Sequence, residues 1–179
     1  MPVTPRSWRL LAAAVLGLLL APATAAAEER GFTIGARPVW FLTAGGTGGG
    51  TVGPGARGGF IGGELSLVRL REHRLAGLYA DAYHDFGVDG TYVTAGPELG
   101  LVRRSRTLPL AVGVDGGAVV RFADERAFGA TGRLFVAVAG TLAVYARYAY
   151  LDADADDHVI QVGMTFKFPF GPPFGAATR

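Results

Sequence analysis

The sequence predicts an all-β fold: an eight-stranded antiparallel up-and-down transmembrane β-barrel. Three observations point to it. The chain opens with an export signal. No later apolar run reaches the roughly 18 residues of a membrane-crossing helix. Apolar and small or polar residues then alternate with period two in eight successive segments, whereas helical periodicity is nowhere sustained.

The opening residues combine Arg6 and Arg9, the apolar run LLAAAVLGLLL over 10–20, and small residues with Ala25 and Ala27 before Glu28. This is the pattern of a secretory signal peptide, so residues 1–27 are expected to be removed and 28–179 to form the barrel. The whole chain has 17 basic and 15 acidic residues. Arg6 and Arg9 leave with the signal, so the remainder is balanced and gives no electrostatic case for nucleic acid. With no cysteine, an exported fold must hold by hydrogen bonding and packing alone.

The alternating segments cover about 31–43 (GFTIGARPVWF onward), 58–70, 75–86, 91–102, 108–122, 128–139, 141–151 and 158–168. Turn signals separate them: GGTGGGTVGPGA, REHR, FGVDG, RRSRT, ADERA, AGT and DADADD. The connections read as alternately short and long, as in a barrel with tight turns at one end and loops at the other. Both termini would then be periplasmic, with a tail over 169–179. Pro97 removes a ladder donor within the fourth segment, so a bulge is expected there.

One parity of each segment is apolar. It includes Leu65, Leu67, Leu78, Val93, Leu99, Val112, Val114, Leu134, Val136 and Val144. The other holds a single charge among small and aromatic residues: Arg37, Glu64, Asp81, Glu98, Asp115, Arg133, Arg147 and, near its strand end, Lys167. One charge per strand is too few for a solvated exterior and suits a narrow interior, so the apolar face is expected to meet lipid. Aromatic residues near segment ends read as two interfacial girdles, with Phe32, Phe166 and Phe168 low and Trp40, Phe122, Tyr148 and Tyr150 high. Segments two to five carry acids, and six to eight with segment one carry bases. The seams would set Arg37 beside Glu64 and Asp115 beside Arg133. Charges withdrawn from water must pair, so a salt-bridge network plugging the lumen is expected, with Tyr79, Tyr83, Tyr92, Phe135 and Tyr145 filling the remaining space.

Signal peptide, eight alternating strands, short turns and the closing strand VGMTFKF together resemble the small outer-membrane barrels of the OmpA/OmpX type over about residues 31–168. The resemblance implies a narrow, porin-like but charged barrel with roles in envelope anchoring, adhesion or stress tolerance. It also implies outer-membrane lipid, lipopolysaccharide and the barrel assembly machinery as partners. Two departures stand out. Residues follow the terminal aromatic Phe168 or Phe170, and no peptidoglycan-binding domain follows in the sequence.

Motifs for chemistry are few. GGTGGGTVGPGA lacks the Gly-Lys-Ser/Thr of a phosphate loop and reads as a flexible surface loop. Asp152, Asp154 and Asp156 alternate as in calcium loops, but Asp157 stands where glycine is required. They are a weak cation candidate within a solvated acidic loop. Small barrels that modify lipid A need a serine, a histidine and an acid on one patch. Here Ser66, Ser105, His73, His84 and His158 are not brought together by any spacing. The reading is therefore a monomeric, non-enzymatic, cofactor-free membrane barrel with a structural or surface-interaction role. The alternatives are a narrow ion or small-solute pore, a lipid-modifying enzyme and a soluble periplasmic lipocalin-like carrier.

Overall fold

The computed structural model describes residues 38–53, 56–103, 109–138, 140–152 and 157–174. They form eight strands: β1 Val39–Gly53, β2 Ala56–Arg71, β3 Arg74–Asp85, β4 Gly90–Arg103, β5 Leu110–Phe122, β6 Arg126–Val138, β7 Leu142–Asp152 and β8 Asp157–Phe174. Each is antiparallel to its neighbours in sequence, and β8 pairs with β1 to close the barrel. Closure leaves no edge strand. The expected signal peptide lies outside the described residues.

Burial alternates along every strand, and its sense is the reverse of a soluble protein's. Ile61, Leu65, Leu78, Leu101 and Met164 face outward, Ile61 at 62% exposure and Leu101 at 66%. Glu64 and Arg147 face the lumen at 2% and 1%. An apolar belt around a polar interior is a transmembrane arrangement. The soluble lipocalin-like alternative needs the opposite faces and does not hold.

Several boundaries differ from the sequence reading. Most of the glycine-rich stretch, expected as a loop, is β1 itself, running to Gly53. Low strand propensity is overridden here because β2 and β8 supply a ladder on both sides. Thr43, Thr47 and Thr51 keep to one parity and face the lumen. The inward glycines allow the wall to turn tightly. A Cβ on Gly45 would lie 1.7 Å from the Phe166 carbonyl oxygen, and one on Gly49 would lie 2.2 Å from that of Val162. The expected tail also begins too early, since β8 continues to Phe174 across a bulge opposite Trp40 and Leu42.

Connection lengths do not alternate. One rim, the hairpin rim, carries residues 54–55, 86–89, 123–125 and 153–156. The other, the terminal rim, carries 72–73, 104–109 and 139–141, together with the start of β1 and the end of β8. Reclassifying the glycine-rich stretch as strand removes one of the two longer loops expected at the hairpin rim. The register also moves Trp40. It joins Phe166, Phe168 and Phe170 near the terminal rim, while Phe122, Phe128, Tyr148 and Tyr150 lie near the hairpin rim. Pro97 produces no bulge. The β4–β5 pairing skips Gly96 and Pro97 and resumes at Glu98 and Asp115 in the same register.

Candidate functional site: the lumen

The lumen is built by the inward parity of all eight strands, and its charges come from opposite walls. Glu64, Asp81, Glu98 and Asp115 stand on β2 to β5; Arg133, Arg147 and Lys167 stand on β6 to β8. Like charges face each other in register at Glu64–Asp81, Glu98–Asp115 and Arg133–Arg147, and among the described interior ion pairs only Asp115–Arg133 joins register partners on adjacent strands. The other ion pairs cross the interior.

Arg133 is the hub. Its Nη1 and Nη2 donate to both Glu64 carboxylate oxygens at 2.6 and 3.1 Å, and its Nε donates to Asp115 Oδ2 at 2.6 Å. Such a fork uses the planar guanidinium fully. The rings of Tyr79 and Tyr145 each lie 5.0 Å from its central carbon, so the cation is held by aromatic faces as well as by carboxylates. Arg147 pairs with Asp81, which also accepts from the Thr94 hydroxyl, and packs over Tyr83 and Tyr145. Lys167 pairs with Glu64, donates to Ser66 Oγ at 3.1 Å, and lies 3.7 Å from Glu98 Oε1.

Two positions differ from the expected network. Lys167 stands well inside the extended β8, at the centre of the ion cluster rather than at a strand end. At the β1–β2 seam the residue opposite Glu64 is Gly45, not Arg37. Arg37 itself lies outside the described residues.

Toward the hairpin rim the lumen is filled by packed side chains around the inner carboxylate of Asp85. Asp85 accepts from the Thr51 hydroxyl, from Gln161 Nε2 at 3.1 Å and from the Gly87 amide at 2.9 Å. Around it pack Phe60, Val119 and Leu151, with Tyr83 stacked on Tyr92 at 5.0 Å. The role of Asp85 was missed from sequence because it borders a turn. Its parity with Tyr79, Asp81 and Tyr83 is the signal that identifies it.

Toward the terminal rim the described residues leave space in the lumen. A cavity of about 340 Å³ runs inward from Leu70, Leu75 and Leu142 to Glu98, Arg133 and Lys167. Its walls are mainly apolar, including Val68, Phe135 and Ala143.

The residues considered for chemistry are dispersed. Ser66 is buried in the lumen, bonded to Glu64 and Lys167. His84 and His158 stand on the outer face, beside Asp89 and Tyr148 respectively. His73 is exposed in the 72–73 turn, and Ser105 lies outside the described residues. Asp152 is exposed at the end of β7, while Asp154 and Asp156 lie outside the described residues.

No family model and no curated protein matches the sequence. Solved structures do match in fold. Neisserial surface protein A superposes with a TM-score of 0.56 at 11% identity, over 73% of this chain and 97% of that one. The attachment invasion locus protein Ail of Yersinia pestis, solved with the heparin analogue sucrose octasulfate, matches at 14% identity over 73% and 99%, with a TM-score of 0.36. A de novo designed transmembrane β-barrel matches at 12% identity over 76% and 98%, with a TM-score of 0.35. At 11% identity the likeness to Neisserial surface protein A speaks to fold alone, and that fold is a closed eight-stranded antiparallel barrel.

Proposed function

We propose that the chain is an exported, monomeric outer-membrane barrel with a structural or surface-interaction role and a lumen closed to ions. The single observation carrying this reading is the sealed inner half of the lumen. Arg133 bridges Glu64 and Asp115 across the interior, and Phe60, Tyr83, Tyr92 and Leu151 fill the space beyond it. Desolvated ion pairs cost several kcal/mol to break, so they close a path rather than line one.

The outward apolar belt and the two aromatic zones suit a bilayer. The signal-like residues 1–27 suit export, which would bring the chain to the barrel assembly machinery and then to outer-membrane lipid and lipopolysaccharide. Both termini would lie on the periplasmic side, leaving the hairpin rim outside. Its connections are short, so a partner would meet the rim and the wall rather than long loops. Ser66 faces the lumen while His84 and His158 face outward, which favours a non-enzymatic role.

The cavity at the terminal rim favours a narrow pore as second reading, because it already penetrates to the ion cluster. Two measurements on residues 28–179 folded in detergent decide. Electrophoretic mobility that changes only on boiling is expected of a closed membrane barrel. In planar bilayers the wild-type protein should give no sustained conductance steps. Steady steps would overturn the closed reading in favour of the pore, and folding in plain buffer would overturn the membrane reading.

A further inference from the structure

We propose that the open half of the lumen is a binding site for a small amine carrying an apolar tail, with the ammonium paired to Glu98 and the tail packed among Val68, Phe135 and Ala143.

Charge complementarity sets the sign of the head group. Four buried carboxylates share two buried arginines and the part-buried Lys167 in the ion cluster. Arg133 is committed to Glu64 and Asp115, Arg147 to Asp81, and Lys167 to Glu64. Glu98 is left with Lys167 at 3.7 Å as its nearest cation, and its Oε2 has no hydrogen-bond partner among the described residues. Its side chain is only 3% exposed, and it borders the cavity. A carboxylate oxygen withdrawn from water and left without a donor is costly. An ammonium brings three donors to it. A carboxylate ligand would meet the acidic excess instead.

The walls set the tail. At about 340 Å³ the cavity lies at the lower end of the range for small-molecule sites. Val68, Phe135 and Ala143 offer no hydrogen-bonding side chain, so an alkyl or aryl group gains burial there without leaving a polar atom unpaired. Entry is from the aqueous side at the terminal rim, between Leu70, Leu75 and Leu142. The site thus presents an apolar wall and, at its inner end, Glu98 beside Arg133 and Lys167, part of an ion cluster with one more carboxylate than cations, which favours a cationic head group over a neutral or acidic one.

The test is NMR of methyl-labelled protein folded in detergent micelles, titrated with 4-phenylbutylamine. 4-Phenylbutanoate and 4-phenylbutan-1-ol carry the same tail and serve as comparators. The amine should give saturable shifts at the lumenal methyls of Val68, Ala137 and Ala143. Both comparators should bind about tenfold more weakly or worse, and Glu98→Gln should weaken the amine by a similar factor. Ala143→Leu, which fills the cavity without touching Glu98, should abolish the lumenal shifts and keeps the proposal testable should Glu98→Gln fail to fold. Equal binding of the acid, an unchanged affinity in Glu98→Gln, or full binding to Ala143→Leu would each overturn the proposal. So would shifts confined to outward methyls such as Leu65 and Met164, which report partition into the micelle only.

Discussion

The two halves of the lumen use the same eight strands and close by different physics. Toward the hairpin rim, Phe60, Tyr83, Tyr92, Val119 and Leu151 pack into one buried cluster, and the inner carboxylate of Asp85 accepts from neutral donors. Toward the terminal rim, small side chains such as Ala143 leave about 340 Å³ open, and Glu98 keeps an oxygen without a donor. Between them the Arg133 cluster ties β2, β5 and β6 together. The contrast separates stability from binding capacity. The filled half and the ion cluster carry the fold, and the open half is where volume and unspent charge remain.

The largest expected effect is at the cluster. Arg133→Ala removes both of its hydrogen bonds to Glu64 and the only ion pair of Asp115 among the described residues. Stranding buried carboxylates costs about 3–5 kcal/mol, read as a lowered urea midpoint of the heat-modifiable folded form. Lys167→Ala should cost less, because Lys167 is 14% exposed and Glu64 keeps its Arg133 fork. Equal losses would mean that the cluster has no hub.

Next comes packing. Leu151 is fully buried in the filled half, so Leu151→Ala should cost about 2–5 kcal/mol, as a large-to-small change in a dense core does. Val68→Ala borders existing space and loses fewer neighbours, so its urea midpoint should shift much less. If the two shifts match, the halves are equally well packed and the contrast fails.

The wall itself gives a third, smaller effect. Gly45→Ala would set a methyl 1.7 Å from the Phe166 carbonyl oxygen and 2.9 Å from the Lys167 Cα. Backbone cannot yield as a side chain does, and overpacking of this kind costs about 1–3 kcal/mol. The loss should appear as slower folding into detergent as well as a lower urea midpoint, because this contact lies on the β1–β8 seam that closes the barrel.

The strand count and the lumen-facing parity were legible in the sequence because one charge per strand marks the inner face. Glu64, Asp81, Glu98, Asp115, Arg133 and Arg147 all fall on it. β1 was legible only over 39–43, since the glycines beyond hide a strand that is ordered by neighbours on both sides. The threonines at 43, 47 and 51 were the trace it left. The partner choices were not legible either. Arg133 on β6 meets Glu64 on β2 because the strand stagger brings those heights together across the axis, and stagger cannot be counted before the connections are known. The cavity depended on side-chain volumes near the terminal rim, at Val68, Ala137 and Ala143, which period-two alternation does not weigh.

The smallest effect distinguishes conformational strain from steric strain in the same wall. Gly140 turns between β6 and β7 with φ of 70°, and a Cβ there would meet nothing within 4 Å. Gly132, outward on β6, also has nothing within 4 Å, and its φ lies outside the left-handed region. Space is therefore equal and only the backbone differs. Gly140→Ala should cost about 1 kcal/mol, the penalty of an L-residue held left-handed. Gly132→Ala should be neutral or slightly stabilising, because the unfolded chain loses freedom that the strand does not need. Urea midpoints of the two variants, measured side by side in one detergent, give the difference directly. Equal midpoints would mean that the 139–141 turn relaxes to accept alanine, and the terminal rim would then be softer at its β6–β7 corner than the register implies.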